Sequence, residues 1–112
     1  MILNASKDIS DILNCNPDDI YYTSGATMSN NLAIQGFIKN TDGILITDKM
    51  EHDDILLISR DMKKVFYVDC LKNGFISLVN LNELLDYISK VYPNKKILVS
   101  IQSANSETGV IQ

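Results

Sequence analysis

The sequence predicts an α/β domain with a largely parallel sheet, and three observations carry that expectation. Strand-like apolar runs alternate with helical stretches four times along the chain. One of the runs, "ILIT" at 44–47, is continuously apolar, as strands buried on both faces of a parallel sheet are. Small polar stretches follow the strand-like runs, which is where open α/β sheets bind ligands.

The elements follow in order. "ASKDISDILN" at 5–14 sets Ile9, Ile12 and Leu13 on one helical stripe, and "CNPDD" ends it. "DIYY" at 19–22 has the β-branched and aromatic character of a short strand, so a first strand is expected at 20–22. "TSGAT" turns the chain into a helix over about 27–39, with Leu32, Ile34, Phe37 and Ile38 placed to pack on a sheet. "NTDG" closes that helix and "ILIT" is the second strand. "DDILLISRDM" reads as a helix with two acids in its first turn, where the helix dipole favours them. "KVFYVD" at 64–69 is a third strand, "LKNG" a turn, and "NLNELLDYISKVY" an amphipathic helix stopped at Pro93. "KILVSI" at 96–101 is the last strand and runs into "QSANSETGVIQ".

The 112 residues, 46% of them apolar, suffice for one core. The net charge of −4, with no basic stripe, argues against a nucleic-acid partner. The sequence has neither a membrane-spanning apolar run nor a signal-peptide pattern, so a cytoplasmic protein is expected. Cys15 and Cys70 form no CxxC and the chain has one histidine, which argues against a metal site.

Three loops, "TSGAT", "TDKMEH" and "SANSETG", each follow an expected strand and should converge on one rim. In the first, Gly25 permits close backbone approach, and the Thr27 hydroxyl and N–H at a helix start suit a phosphate oxygen. The same residues would equally serve as an ordinary helix cap. There is no GK[ST] and no GxGxxG, so a nucleoside triphosphate or dinucleotide is not indicated. In the second, His52 can stack on a planar ring, titrate near neutral pH or merely cap its neighbours. In the third, Asn105, Ser106 and Glu107 suit polar contacts to a ring substituent or an ordinary turn.

Taken together, these loops resemble one family. "TSGATMSNNLAIQG" resembles the "TSGATESNNLAIKG" of cysteine desulfurases, pyridoxal-phosphate enzymes grouped with class V aminotransferases. "TDKMEHDDILL" is similar to their "T..EH.A.L", "VDCLKNGFISLVNLNELL" to "D..G.IDL..LE.A", and "ILVSIQSANSETGVIQ" to "ILVSI..ANNE.G.IQ". The resemblance spans essentially the whole chain. It implies that residues 1–112 are a single partial domain, a segment of the large domain of fold-type-I pyridoxal-phosphate enzymes.

The resemblance further implies that Gly25, Ala26 and Thr27 bind the phosphate of pyridoxal 5'-phosphate. His52 stacks on the pyridine ring and assists proton transfer, as the one catalytic residue carried over. The polar contact near the phenolic oxygen falls to Ser106, beside Asn105. The complete enzyme removes sulfur from L-cysteine as a persulfide for iron–sulfur cluster or thio-cofactor assembly. It hands that sulfur to an acceptor or scaffold protein and works as a homo-oligomer.

Met28 stands for the family's Glu, Ser103 for a frequent His and Ser106 for the contacting Asn. The family's pyridine-pairing Asp, Schiff-base Lys, nucleophilic Cys and substrate-binding Arg all match positions after Gln112, so this chain by itself is expected not to turn over cysteine. Another class V enzyme, a selenocysteine lyase or an aminotransferase, would share these loops. A non-catalytic remnant that self-associates is the other alternative. The family's sheet order places "ILIT" between "KVFYVD" and "KILVSI", with the strand at 20–22 separated from them and left without neighbours.

Overall fold

A computed structural model describes residues 2–112. The chain begins with helix α1 (Ile2–Leu13), a 3-10 turn (Pro17–Asp19) and helix α2 (Ala26–Thr41). Strand β1 (Ile44–Asp48), helix α3 (Asp53–Arg60) and strand β2 (Val65–Val68) follow, then helix α4 (Leu78–Val91) and strand β3 (Ile97–Val99). The three strands form one parallel sheet in the order β2-β1-β3, with Leu45 opposite both Val65 and Leu98. This is the order expected, with the "ILIT" strand central.

Every residue of β1 is buried, because both edges are hydrogen-bonded and both faces are covered. Side chains alternate across a strand, so β1 feeds two cores at once. Leu45 packs with Ile34 of α2 and with Ile55 and Ile58 of α3 on one face. Ile44 and Ile46 pack with Val68 and with Ile88 of α4 on the other. The result is a helix–sheet–helix sandwich, the layering that α/β patterning dictates.

Gly43 makes the tight entry into β1. A Cβ there would lie 2.7 Å from the Phe37 ring and 2.9 Å from the Lys96 carbonyl, so only glycine lets the three segments meet. Asp42, just before it, adopts φ 47° and pairs with the ammonium groups of Lys64 and Lys95.

Two expectations change. Residues 20–22 form no strand: the backbone there is extended but unpaired, and Tyr21 and Tyr22 are exposed. The segment pairs with neither open edge of the sheet, β2 or β3, and a strand without a partner cannot satisfy its backbone groups. Helix α1 does form, yet it turns Ser6 and Ser10 inward and leaves Ile12 and Leu13 exposed. Its apolar stripe therefore meets none of the two cores, and the helix packs chiefly on the 3-10 turn that follows it.

Candidate functional site

The loops that leave β1 and β3 lie side by side, since parallel neighbours present their carboxyl ends together. They are tied by hydrogen bonds between the second loop and the segment after β3. The Met50 carbonyl accepts from the amide of Gln102 at 2.7 Å and from that of Asn105 at 2.9 Å. The Glu51 carboxylate accepts from the Gln102 backbone N–H at 2.5 Å. Burial of Glu51, with Asp48 nearby, pushes its carboxyl above the usual range, against the opposing pull of the Gln102 N–H.

The start of α2 joins this rim through one bond. The Thr27 hydroxyl donates to Asp54 Oδ2 at 2.8 Å, linking α2 to the first turn of α3. Gly25 precedes α2 without any side-chain cap, and the first bond into the helix is Ser29 N–H to the Gly25 carbonyl at 3.1 Å. The N–H groups of Ala26 and Thr27 thus have no acceptor within the helix. Nothing lies within 4 Å of where a Gly25 Cβ would stand, so the approach to them is open.

His52 caps α3. Its Nδ1 accepts the Asp54 backbone N–H at 3.3 Å and lies 3.5 Å from Asp54 Oδ2. An accepting Nδ1 places the proton of the neutral ring on Nε2, which no described residue engages. The imidazole is largely exposed.

Ala26, Asn30, His52, Asp54, Ile55 and Gln102 line a cleft of 370 Å³ between α2, α3 and the loop after β3. Among the described residues lining it there is no Lys or Arg. Larger hollows exist: one of 470 Å³ is walled by the apolar Leu71, Phe75, Leu78 and Val79, and one of 410 Å³ is lined by Lys39, Asp42, Asp61 and Lys64, away from the three loops.

The structure thus brings Gly25, Ala26, Thr27 and His52 around one rim and places Asn105 and Ser106 beyond Gln102. Asn105 is buried, and its amide is engaged at both ends: Nδ2 donates to the Met50 carbonyl, and Oδ1 receives the N–H groups of Glu107 and Thr108 at 2.9 Å each. Ser106 is exposed, and its hydroxyl has no partner among the described residues. Cys15 and Cys70 are unpaired. Burial, then the neighbouring Asp48, pushes the Cys70 thiol up, which keeps it protonated and a poor nucleophile.

Three residues of the rim escape a reading of the sequence alone. Gln102 carries no signal beyond polarity in a loop, and Glu51 reads only as the acid of the "EH" pair, with nothing to mark it as buried. Asp54 reads only as a first-turn acid, although the pattern "T..EH.A.L" sets an Ala against it.

The aminotransferase class-V family model matches residues 1–112. The cysteine desulfurase IscS of Pseudoalteromonas translucida is 39% identical over 115 residues, spanning 96% of this chain and 27% of the relative. The mitochondrial cysteine desulfurase of Candida albicans is 41% identical over 108 residues, spanning 93% of this chain and 21% of the relative. Among solved structures, a NifS-like protein superposes with a TM-score of 0.83 at 30% identity, over 99% of this chain and 30% of that one. DndA of Streptomyces lividans does so with a TM-score of 0.72 at 30% identity, over 99% and 31%. The chain therefore spans about a quarter of the length of the curated relatives it matches.

Proposed function

Because this chain belongs to the class-V aminotransferase family, we propose that it forms the cofactor-phosphate wall of a cysteine desulfurase that uses pyridoxal 5'-phosphate. The names of its relatives support the activity, and the open start of α2 carries the site. The residues fit a phosphate at the level of the backbone. Ala26 and Thr27 are exposed, and their N–H groups stand in the first turn, at the positive end of a 16-residue helix, beside a glycine that leaves room.

In this reading those two N–H groups bind phosphate oxygens. His52 meets the pyridine ring, with its Nε2–H free to exchange a proton, and α3's first turn holds the imidazole through the Asp54 N–H. Ser106 supplies a free hydroxyl to the phenolic oxygen, while Asn105 shapes the loop that presents it. When bound, the cofactor provides the electron sink for chemistry at an amino acid's α-carbon. The substrate is L-cysteine, the sulfur passes to an acceptor or iron–sulfur scaffold protein, and the working form is a homo-oligomer. The unpaired thiols suit a reducing compartment, which we take to be the cytoplasm.

Calorimetric titration of the chain with pyridoxal 5'-phosphate and with pyridoxal tests the phosphate wall. Ala26→Pro deletes one donor at a helix position that tolerates proline. The phosphorylated ligand should bind more tightly, and A26P should erase most of that preference. Equal affinities for the two ligands would overturn the reading.

A further inference from the structure

We propose that Asp54 governs access to the phosphate wall, by holding the Thr27 hydroxyl and by placing a carboxylate beside the spot a phosphate would occupy. The inference rests on the phosphate reading above and concerns what this chain adds to it. A threonine hydroxyl has one proton to donate. In this structure that proton goes to Asp54 Oδ2, over 2.8 Å. A phosphate oxygen that claimed it would have to displace the carboxylate, and would then sit about 5–6 Å from it at most, given an ordinary hydrogen-bond length of about 2.7 Å.

Among the described residues lining the cleft, no Lys or Arg offsets that repulsion. The cleft holds Glu51 and Asp54, and its one group able to carry positive charge is His52. Asp53 adds a further acid to the same turn of α3. His52 Nδ1 already faces Asp54, both through the Asp54 N–H and through Oδ2 at 3.5 Å. Asp54 is the half-buried member of the pair, its side chain 21% exposed, so its charge is less screened by water than a free surface carboxylate. The same residue thus holds His52 through its N–H and competes with phosphate for the Thr27 hydroxyl through its carboxylate. It makes the wall selective, admitting a phosphorylated ligand only when that ligand's other contacts outweigh the loss of the Thr27–Asp54 bond.

The test titrates the chain, at one constant pH, with pyridoxal 5'-phosphate and with pyridoxal. Asp54→Asn keeps the shape and removes the charge; Asp54→Ala removes both and serves if D54N misfolds by circular dichroism. Asp53→Asn removes an equal charge from the same turn without touching Thr27. D54N and D54A should tighten the phosphorylated ligand about tenfold, leave pyridoxal within about twofold, and exceed any effect of D53N. In a Thr27→Val background the gain from D54N should shrink, because the hydroxyl under contest is gone.

If the chain prefers the phosphorylated ligand and A26P removes that preference, yet D54N and D54A change nothing, the inference falls and the phosphate wall stands. An equal gain from D53N also overturns it, since net charge alone would then explain the effect. If the unsubstituted chain binds the two ligands equally, the phosphate wall falls and this inference with it.

Discussion

Glu51 and Gln102 are joined across the top of the sheet: a buried carboxylate after β1 accepts the backbone N–H that follows β3. The charged form accepts that N–H, but its desolvation by burial outweighs the bond. Folding therefore raises the Glu51 carboxyl above its unfolded value, and the folded chain binds more protons than the unfolded one just above pH 4.5. The contribution of Glu51 to stability is thus present at low pH and is lost as pH rises through the folded value. Glu51→Gln keeps an acceptor for Gln102 and has no charge to bury. Melting curves across pH 4–7 should show the advantage of E51Q over the parent growing with pH; a constant difference would contradict it.

Asn105 closes its own loop and anchors it to the neighbouring one. Asn105→Ala strands the Glu107 and Thr108 N–H groups and removes a partner from the Met50 carbonyl. The loss should be about 2–3 kcal/mol in urea unfolding. Asn105→Asp retains the acceptor but directs a carboxylate at the Met50 carbonyl, and should destabilise by a comparable amount. Neutral behaviour of both variants would show that the loop does not depend on this amide.

Ser106 is the short residue where the family pattern has a contacting Asn. Ser106→Asn offers a carbonyl and two N–H donors in place of one hydroxyl. Affinity for pyridoxal 5'-phosphate should rise by about one hydrogen bond, 0.5–1.5 kcal/mol, read by titration. An unchanged affinity, with A26P clearly weakening the same ligand, would remove Ser106 from the contact.

Ile12, Leu13, Tyr21 and Tyr22 lie exposed on α1 and on the unpaired segment after it. Such surface favours association. Light scattering should show a mass that rises with concentration, and Ile12→Lys with Tyr21→Lys should lower it. A monodisperse monomer at high concentration would contradict this.

The parts of the fold legible in the sequence are those whose signals are local and complete. "ILIT" is apolar on both faces, and β1 is buried on both. The apolar spacing of α4 points Leu81, Leu84, Leu85 and Ile88 at one core, and they pack there. The segment at 20–22 has strand-like residues but pairs with neither open edge of the sheet, and pairing is a property of two segments. The stripe on α1 misleads for the same reason, since a helical period says which face is apolar and not what meets it. The rim residues Gly25, Thr27 and His52 stand out through their types and their places after expected strands. Asp54 does not, because an acid in a first helical turn already has a sufficient reason to be there, and its contact with Thr27 appears only in three dimensions.

The central place of β1 also bears on how the chain assembles in time. Leu45 meets Val65 after a short excursion through α3, but it meets Leu98 only after more than twice as much chain has been drawn in. Loop closure costs more entropy the longer the loop, so β1, α3 and β2 should zip first and β3 should dock afterwards. Gln102 and Asn105 reach Met50 and Glu51 only through that late docking. The rim of the cleft is then the last part of the molecule to form and among the first to open. In hydrogen exchange, the Gln102 amide should lose protection at milder conditions than the amides of Ile46 or Thr47.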